Sequence, residues 1–107
     1  ITDAIVAGEG EGPLASEPLP LGVLTLGTNA AAVEWVHALL MQLDPRAIPL
    51  VRESFSSPCC PLADFPPDSI RVHVGGELVP LAEVAQRWGR TFRLPVGWRG
   101  RCELATT

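Results

Sequence analysis

Hydrophobic and polar positions divide the chain into segments of different period. Residues 3 to 7, Asp-Ala-Ile-Val-Ala, form a short apolar run that predicts a strand, and it stops at Gly8-Glu-Gly-Glu-Gly-Pro13. Glycine at every second position frees the backbone for positive φ, so an acidic loop is expected over residues 8 to 13. Residues 14 to 20 carry Ser16, Glu17, Pro18 and Pro20 and read as an irregular surface connection. The nearly continuous apolar run of residues 21 to 26 predicts a strand covered on both faces, as in a parallel sheet. Gly27-Thr-Asn29 then supplies a turn and a helix cap, with Thr28 or Asn29 as the capping residue. From residue 30 to 43 only Glu34, His37 and Gln42 break the apolar pattern, which predicts a helix buried on most of its circumference. Asp44-Pro45 ends it, and a shorter helix over 46 to 55 is expected, with Pro49 in its first turn.

The second half changes character. Pro58, Pro61, Pro66 and Pro67 make residues 56 to 69 an extended loop. Residues 70 to 74 alternate at period two, and Gly75-Gly76 turns the chain into 77 to 79, which together read as a β-hairpin. Pro80 opens an amphipathic helix to Trp88, which Gly89 stops. The tail from Phe92 to Leu104 is expected to pack as an extended strip through its aromatic residues. The fold class read from this pattern is α/β: a small, mostly parallel sheet with a buried helix, followed by a C-terminal hairpin, a short helix and an extended tail. Residues 1 to 107 form a single domain on this reading.

Composition narrows the setting. With 107 residues and 47% of them apolar, the chain has material for a hydrophobic core. A formal net charge of -4, from 12 acidic and 8 basic side chains, gives no broad positive footprint, so neither nucleic acid nor an anionic membrane is an expected partner. The longest apolar run falls short of the roughly 20 residues that cross a bilayer. Asp3 is the one charge in the opening residues, so no basic secretory leader is read there. Cys59, Cys60 and Cys102 form an odd set without C-x-x-C spacing, which signals neither a disulfide framework nor a zinc site and fits a cytoplasmic, reducing location. Because the sequence opens inside an apparent strand and without Met, it reads as the C-terminal part of a larger α/β domain. Its expected partner is then the N-terminal region of the same protein or a partner subunit.

The order of pieces over residues 1 to 55 is strand, Gly-Glu-Gly-Glu-Gly-Pro, proline-rich link, Leu-Gly-Val-Leu-Thr-Leu-Gly-Thr, and Asn-Ala-Ala-Ala-Val-Glu opening an apolar helix that ends Leu-Asp-Pro. This order resembles the domain of unknown function 362 family. Members carry a Glu-Gly-x-Gly-Pro loop and two aspartates at the helix opening, which stand here as Asn29 and Glu34. The resemblance implies an α/β fold and a frequent link to a ferredoxin-type 4Fe-4S domain, whose cluster would be bound outside this chain. It implies no agreed reaction.

Candidate chemistry concentrates on the acidic glycine loop. Gly8, Gly10 and Gly12 would let backbone amides converge on an anion, but the spacing is not G-x-G-x-x-G and the two carboxylates would repel phosphate. Glu9 and Glu11 point to one side if extended, where they could hold a hard divalent cation such as Mg²⁺; the plainer alternative is a structural turn. Glu34 and His37 share a helical face, as half of a carboxylate metal site or as a dipole partner and a satisfied histidine. Were the first two strands parallel neighbours, Glu9, Glu11, Asn29 and Glu34 would meet at one sheet edge as a metal or substrate site. Arg87, Arg90, Arg93, Arg99 and Arg101, interleaved with Trp88 and Trp98, read chiefly as a solvated rim. Ser54, Ser56 and Ser57 lack the strand–turn–helix setting of a serine nucleophile. The two functional readings are therefore a carboxylate-lined metal or substrate site in a larger redox-linked protein, and a non-catalytic structural or interaction module.

Overall fold

A computed structural model describes residues 1–56 and 59–105. Ser57 and Pro58, at the start of the expected proline-rich loop, lie outside the described residues. The first strand, β1 (Thr2–Glu11), runs straight through the glycine stretch and pairs antiparallel with β2 (Ala15–Thr25). Helix α1 (Ala30–Leu40) follows, then a single 3₁₀ turn and α2 (Pro49–Ser56). A short second hairpin, β3 (Val72–Val74) with β4 (Glu77–Val79), leads into α3 (Leu81–Trp88) and the tail.

The mostly parallel sheet expected from the sequence is not what forms: the described strands make two separate two-stranded sheets, both antiparallel. Only residues 12 to 14 separate β1 from β2. Antiparallel strands close through so short a turn, whereas a parallel pair needs a crossover of a dozen or more residues. The prolines read as breakers are tolerated because β2 is an edge strand. Pro18 and Pro20 pair across to Gly8 and Val6, and a residue with no N–H fits a position whose N–H would face solvent. The acidic loop is likewise corrected to strand, with Gly8, Glu9, Gly10 and Glu11 all inside β1. A register shift sets Leu21 and Gly22 of β2 against Ile5 alone on β1, a bulge in β2 where Gly22 has a positive φ of 75°.

The helices agree more closely with the pattern. Asn29, rather than Thr28, caps α1: its side chain accepts from the Ala32 amide at 3.0 Å. Helix α1 ends at Leu40, sooner than the apolar run suggested, with Gln42 at a positive φ of 61°. Pro49 opens α2 as its first residue. At the second hairpin Gly75 and Gly76 have φ values of 60° and 85°, the pair of positive angles that a two-residue turn of matching twist requires.

Two packed clusters meet along α1. In one, Ala38 and Leu43 pack with Leu94 and Cys102 from the tail. In the other, Trp35, Val51 and Ile70 pack with Phe55, Phe65 and Leu81 around them. Trp35 meets Phe55 edge-on with ring centroids 5.3 Å apart, and the Arg46 guanidinium covers its ring at 4.9 Å. The tail bonds to β1 at Gly10 and to the turn after α1 at Gln42 and Asp44. It contributes buried Phe92 and Leu94, while Trp98, expected to pack, is 45% exposed. No helix among the described residues is long and apolar enough to cross a membrane.

Candidate functional site

The acidic glycine strand is built for backbone contact. Tail residues lie along the outer edge of β1, where the Gly10 amide donates to the Arg93 carbonyl at 2.6 Å. Glu9 accepts from the Arg93 backbone amide and Glu11 from that of Val96, both at 2.8 Å. The Arg93 guanidinium reaches back to Glu17 on β2 at 2.8 Å. Its pKa is held above the usual arginine value, first by the hydrogen bond to Glu17 and then by the charges of Glu17, Glu9 and Glu11. Backbone conformation favours glycine at Gly10. Its φ is 86°, and a Cβ there would stand 3.1 Å from an Arg93 guanidinium nitrogen. The feature that looked like a ligand loop is a clasp joining the hairpin tip to the tail, 84 residues away in sequence for Glu9 and Arg93.

Glu34 and Asn29 lie elsewhere. Antiparallel pairing puts Glu9 opposite Glu17, eight residues along β2 from Thr25, about 27 Å at the usual rise. Helix α1 begins just beyond Thr25, so its amino end sits at the other end of the hairpin from Gly8, Glu9, Gly10, Glu11 and Gly12. The common carboxyl edge required for convergence exists only for parallel strands. Among the described residues no three His, Cys, Asp or Glu side chains come together as a metal centre. Both ends of the Asn29 amide are engaged, one on Ala32 and the other donating to the Leu62 carbonyl at 2.9 Å.

Glu34 does belong to a short polar line. Its carboxylate stands 3.5 Å from His37 Nδ1, and His37 Nε2 lies 2.8 Å from the Thr25 hydroxyl. A proton on Nδ1, the nitrogen facing Glu34, leaves Nε2 to accept from Thr25. Hydroxyl, imidazole and carboxylate in that order resemble a nucleophile with its base and orienter. Two features favour a structural pin instead. The carboxylate is beyond hydrogen-bond length, and Thr25 ends a strand rather than occupying a strained elbow. The bond fastens the end of β2 to α1. Thr25 went unnoticed in the sequence, although it is the one hydroxyl in the apolar run of residues 21 to 26.

Beside that pin a groove of about 600 Å³ opens between the end of β2, α1 and the segment entering β3. Much of the hairpin's apolar surface is open to solvent. Ala4, Ala7, Leu21 and Val23 are half-buried, whereas Ile5, Val6 and Leu24 are 51%, 61% and 63% exposed. Of the three thiols, Cys59 and Cys60 are exposed and Cys102 is buried, and none is in a disulfide. Burial raises the Cys102 pKa, helped by the charges of Glu103 and Asp44, which makes it an inert core thiol.

The architecture is thus a helical core with an open antiparallel hairpin. No family model matches the chain, so the resemblance noted above rests on the residues quoted for it. No solved structure matches it either. A stretch of 49 residues, 46% of the chain, is 39% identical to the thylakoid-associated protein sll1697 of Synechocystis sp. and covers 15% of that protein. The matched stretch is therefore a small part of a much longer relative.

Proposed function

We propose that the chain is a non-catalytic interaction module of a larger protein, docking the exposed apolar side chains of the β1–β2 hairpin on an apolar protein surface. The exposure of Ile5, Val6 and Leu24 on a two-stranded sheet carries the reading. A lone two-stranded ribbon is marginal in water, and contiguous exposed apolar surface marks interaction sites. Contact by the face, not the edge, follows from Pro18 and Pro20, which leave β2 without two of the donors an added strand would need. The likeness to a thylakoid-associated protein, of which the match covers 15%, supports a module within a longer chain. On this reading the partner surface is the remainder of such a protein or a subunit held with it, and the free thiols favour a cytoplasmic, reducing setting. The resemblance to the domain of unknown function 362 family would add an iron–sulfur domain outside this chain. A carboxylate-lined site within it is less favoured, because Glu9 and Glu11 already bind backbone amides.

The test is crosslinking in the native host. Photo-crosslinking residues at Ile5 and Val6 of the whole protein should join one defined protein segment, while one at exposed Gln86 on α3 should not. Hairpin positions that give no crosslink, and hairpin amides that exchange as fast in the native assembly as in the isolated chain, would refute the reading.

A further inference from the structure

We propose that the groove beside the Thr25–His37 pin binds a small amphipathic anion, a carboxylate carried on an apolar body. Its volume, about 600 Å³, lies within the range of small-molecule sites, which are mostly apolar with a few convergent polar groups. The apolar walls come from three elements: Leu26 beyond β2, Val33 and Val36 on α1, and Ile70 and Val72 around β3, with Phe65 beside them.

Charge decides the head group. The chain as a whole is acidic, with 12 carboxylates against 8 arginines, yet no Asp or Glu lines this groove among the described residues, while Arg71, His37 and His73 do. Glu34, 3.5 Å from His37, offsets that imidazole, so recognition of an anion falls to Arg71 and His73. Arg46, Arg52, Arg87 and Arg93 each stand within ion-pair distance of a carboxylate. Arg71 has no ion pair and no side-chain hydrogen bond among the described residues, which leaves its whole donor fork available. A guanidinium takes a carboxylate through two parallel hydrogen bonds. Thr28 and Ser69, both on the lining, add hydroxyl donors. Leu24 borders the groove, but Ile5 and Val6 do not line it, and the inference does not depend on the docking reading.

Decanoate is a suitable probe, with decanol and decyltrimethylammonium of equal tail length as comparisons, each titrated into the ¹⁵N-labelled full chain. Decanoate should shift the amides of Thr28, Val33, Ser69 and His73 saturably, and more tightly than either comparison. Arg71→Gln, at an exposed position, should weaken decanoate binding about tenfold while leaving decanol unchanged. Val33→Trp should fill the groove and remove binding with the circular dichroism unaltered. Equal binding of decanol and decanoate, indifference to Arg71→Gln, shifts centred on Ile5 and Val6, or no saturable shift would each overturn the proposal.

Discussion

The helical core and the β1–β2 hairpin are held by different forces. Around Trp35, which is 3% exposed, side chains from α1, α2 and the segment entering β3 interlock, and removal of apolar surface from water does the work. Gly10 is the one buried residue of the hairpin, where Ile5, Val6 and Leu24 are all more than half exposed. What holds it is polar and located at its two ends: the Glu9–Glu11–Arg93 clasp at the tip and the Thr25–His37 bond at the base. A packed region fails when volume is removed, and a tethered one when a hydrogen bond is removed.

That contrast can be broken most forcefully at Trp35. Trp35→Ala should cost about 3–5 kcal/mol, enough to remove most of the cooperative transition in urea. An effect confined to α1 would mean that the core is not one packed unit. Glu9→Ala combined with Glu11→Ala should cost less, about 1–3 kcal/mol, and should do so locally. Amide exchange should accelerate at Gly10, Arg93 and Val96 and stay slow around Val51. Uniform acceleration would show that the tip and the core open together. Thr25→Val removes a single hydrogen bond at nearly constant volume and should cost about 1 kcal/mol, read as a shift of the urea midpoint.

A smaller effect should appear with pH. Glu103 accepts from the Gly100 amide, with a weaker contribution from Cys102, and its pKa is held below the usual glutamate value chiefly by the Gly100 bond. A depressed carboxylate pKa stabilises the fold above the unfolded value, about 4.3, and that stability disappears as pH falls through the lower folded value. Glu103→Gln should remove this acid-dependent component, and unfolding midpoints compared across that window will show whether it does. The smallest change is expected at Val6→Asp, within about 0.5 kcal/mol in the isolated chain, since its side chain is largely exposed there. A larger loss would place Val6 inside the hairpin's own stability and weaken the case for a docking face.

Legibility in the sequence follows the same division. The helices and the second hairpin were readable because their signals are local: Pro49 at a first turn, the Gly75–Gly76 turn, Pro80 and Gly89 bracketing α3. The first hairpin was misread because two local rules gave the wrong sign. Pro18 and Pro20 mark a break in a central strand but are permitted on an edge, and which of these applies depends on neighbours the local pattern does not reveal. Alternating Gly and Glu suggested a loop for an ion. Their actual partners are backbone amides at 93 and 96, and no short-range pattern points across so long a span. The Glu34–His37 face was legible, whereas its third member, Thr25, depended on how β2 approaches α1.

The span of that clasp also orders events in time. β1 and β2 leave the ribosome before the helices and the tail and can pair at once, since only three residues lie between them. The groups that fix their tip lie 84 and 85 residues further on, so closure must wait for nearly the whole described chain and carries the entropy of a long loop. Until then the hairpin's apolar side chains are all open to water, and the nascent hairpin is the segment with most reason to engage a chaperone.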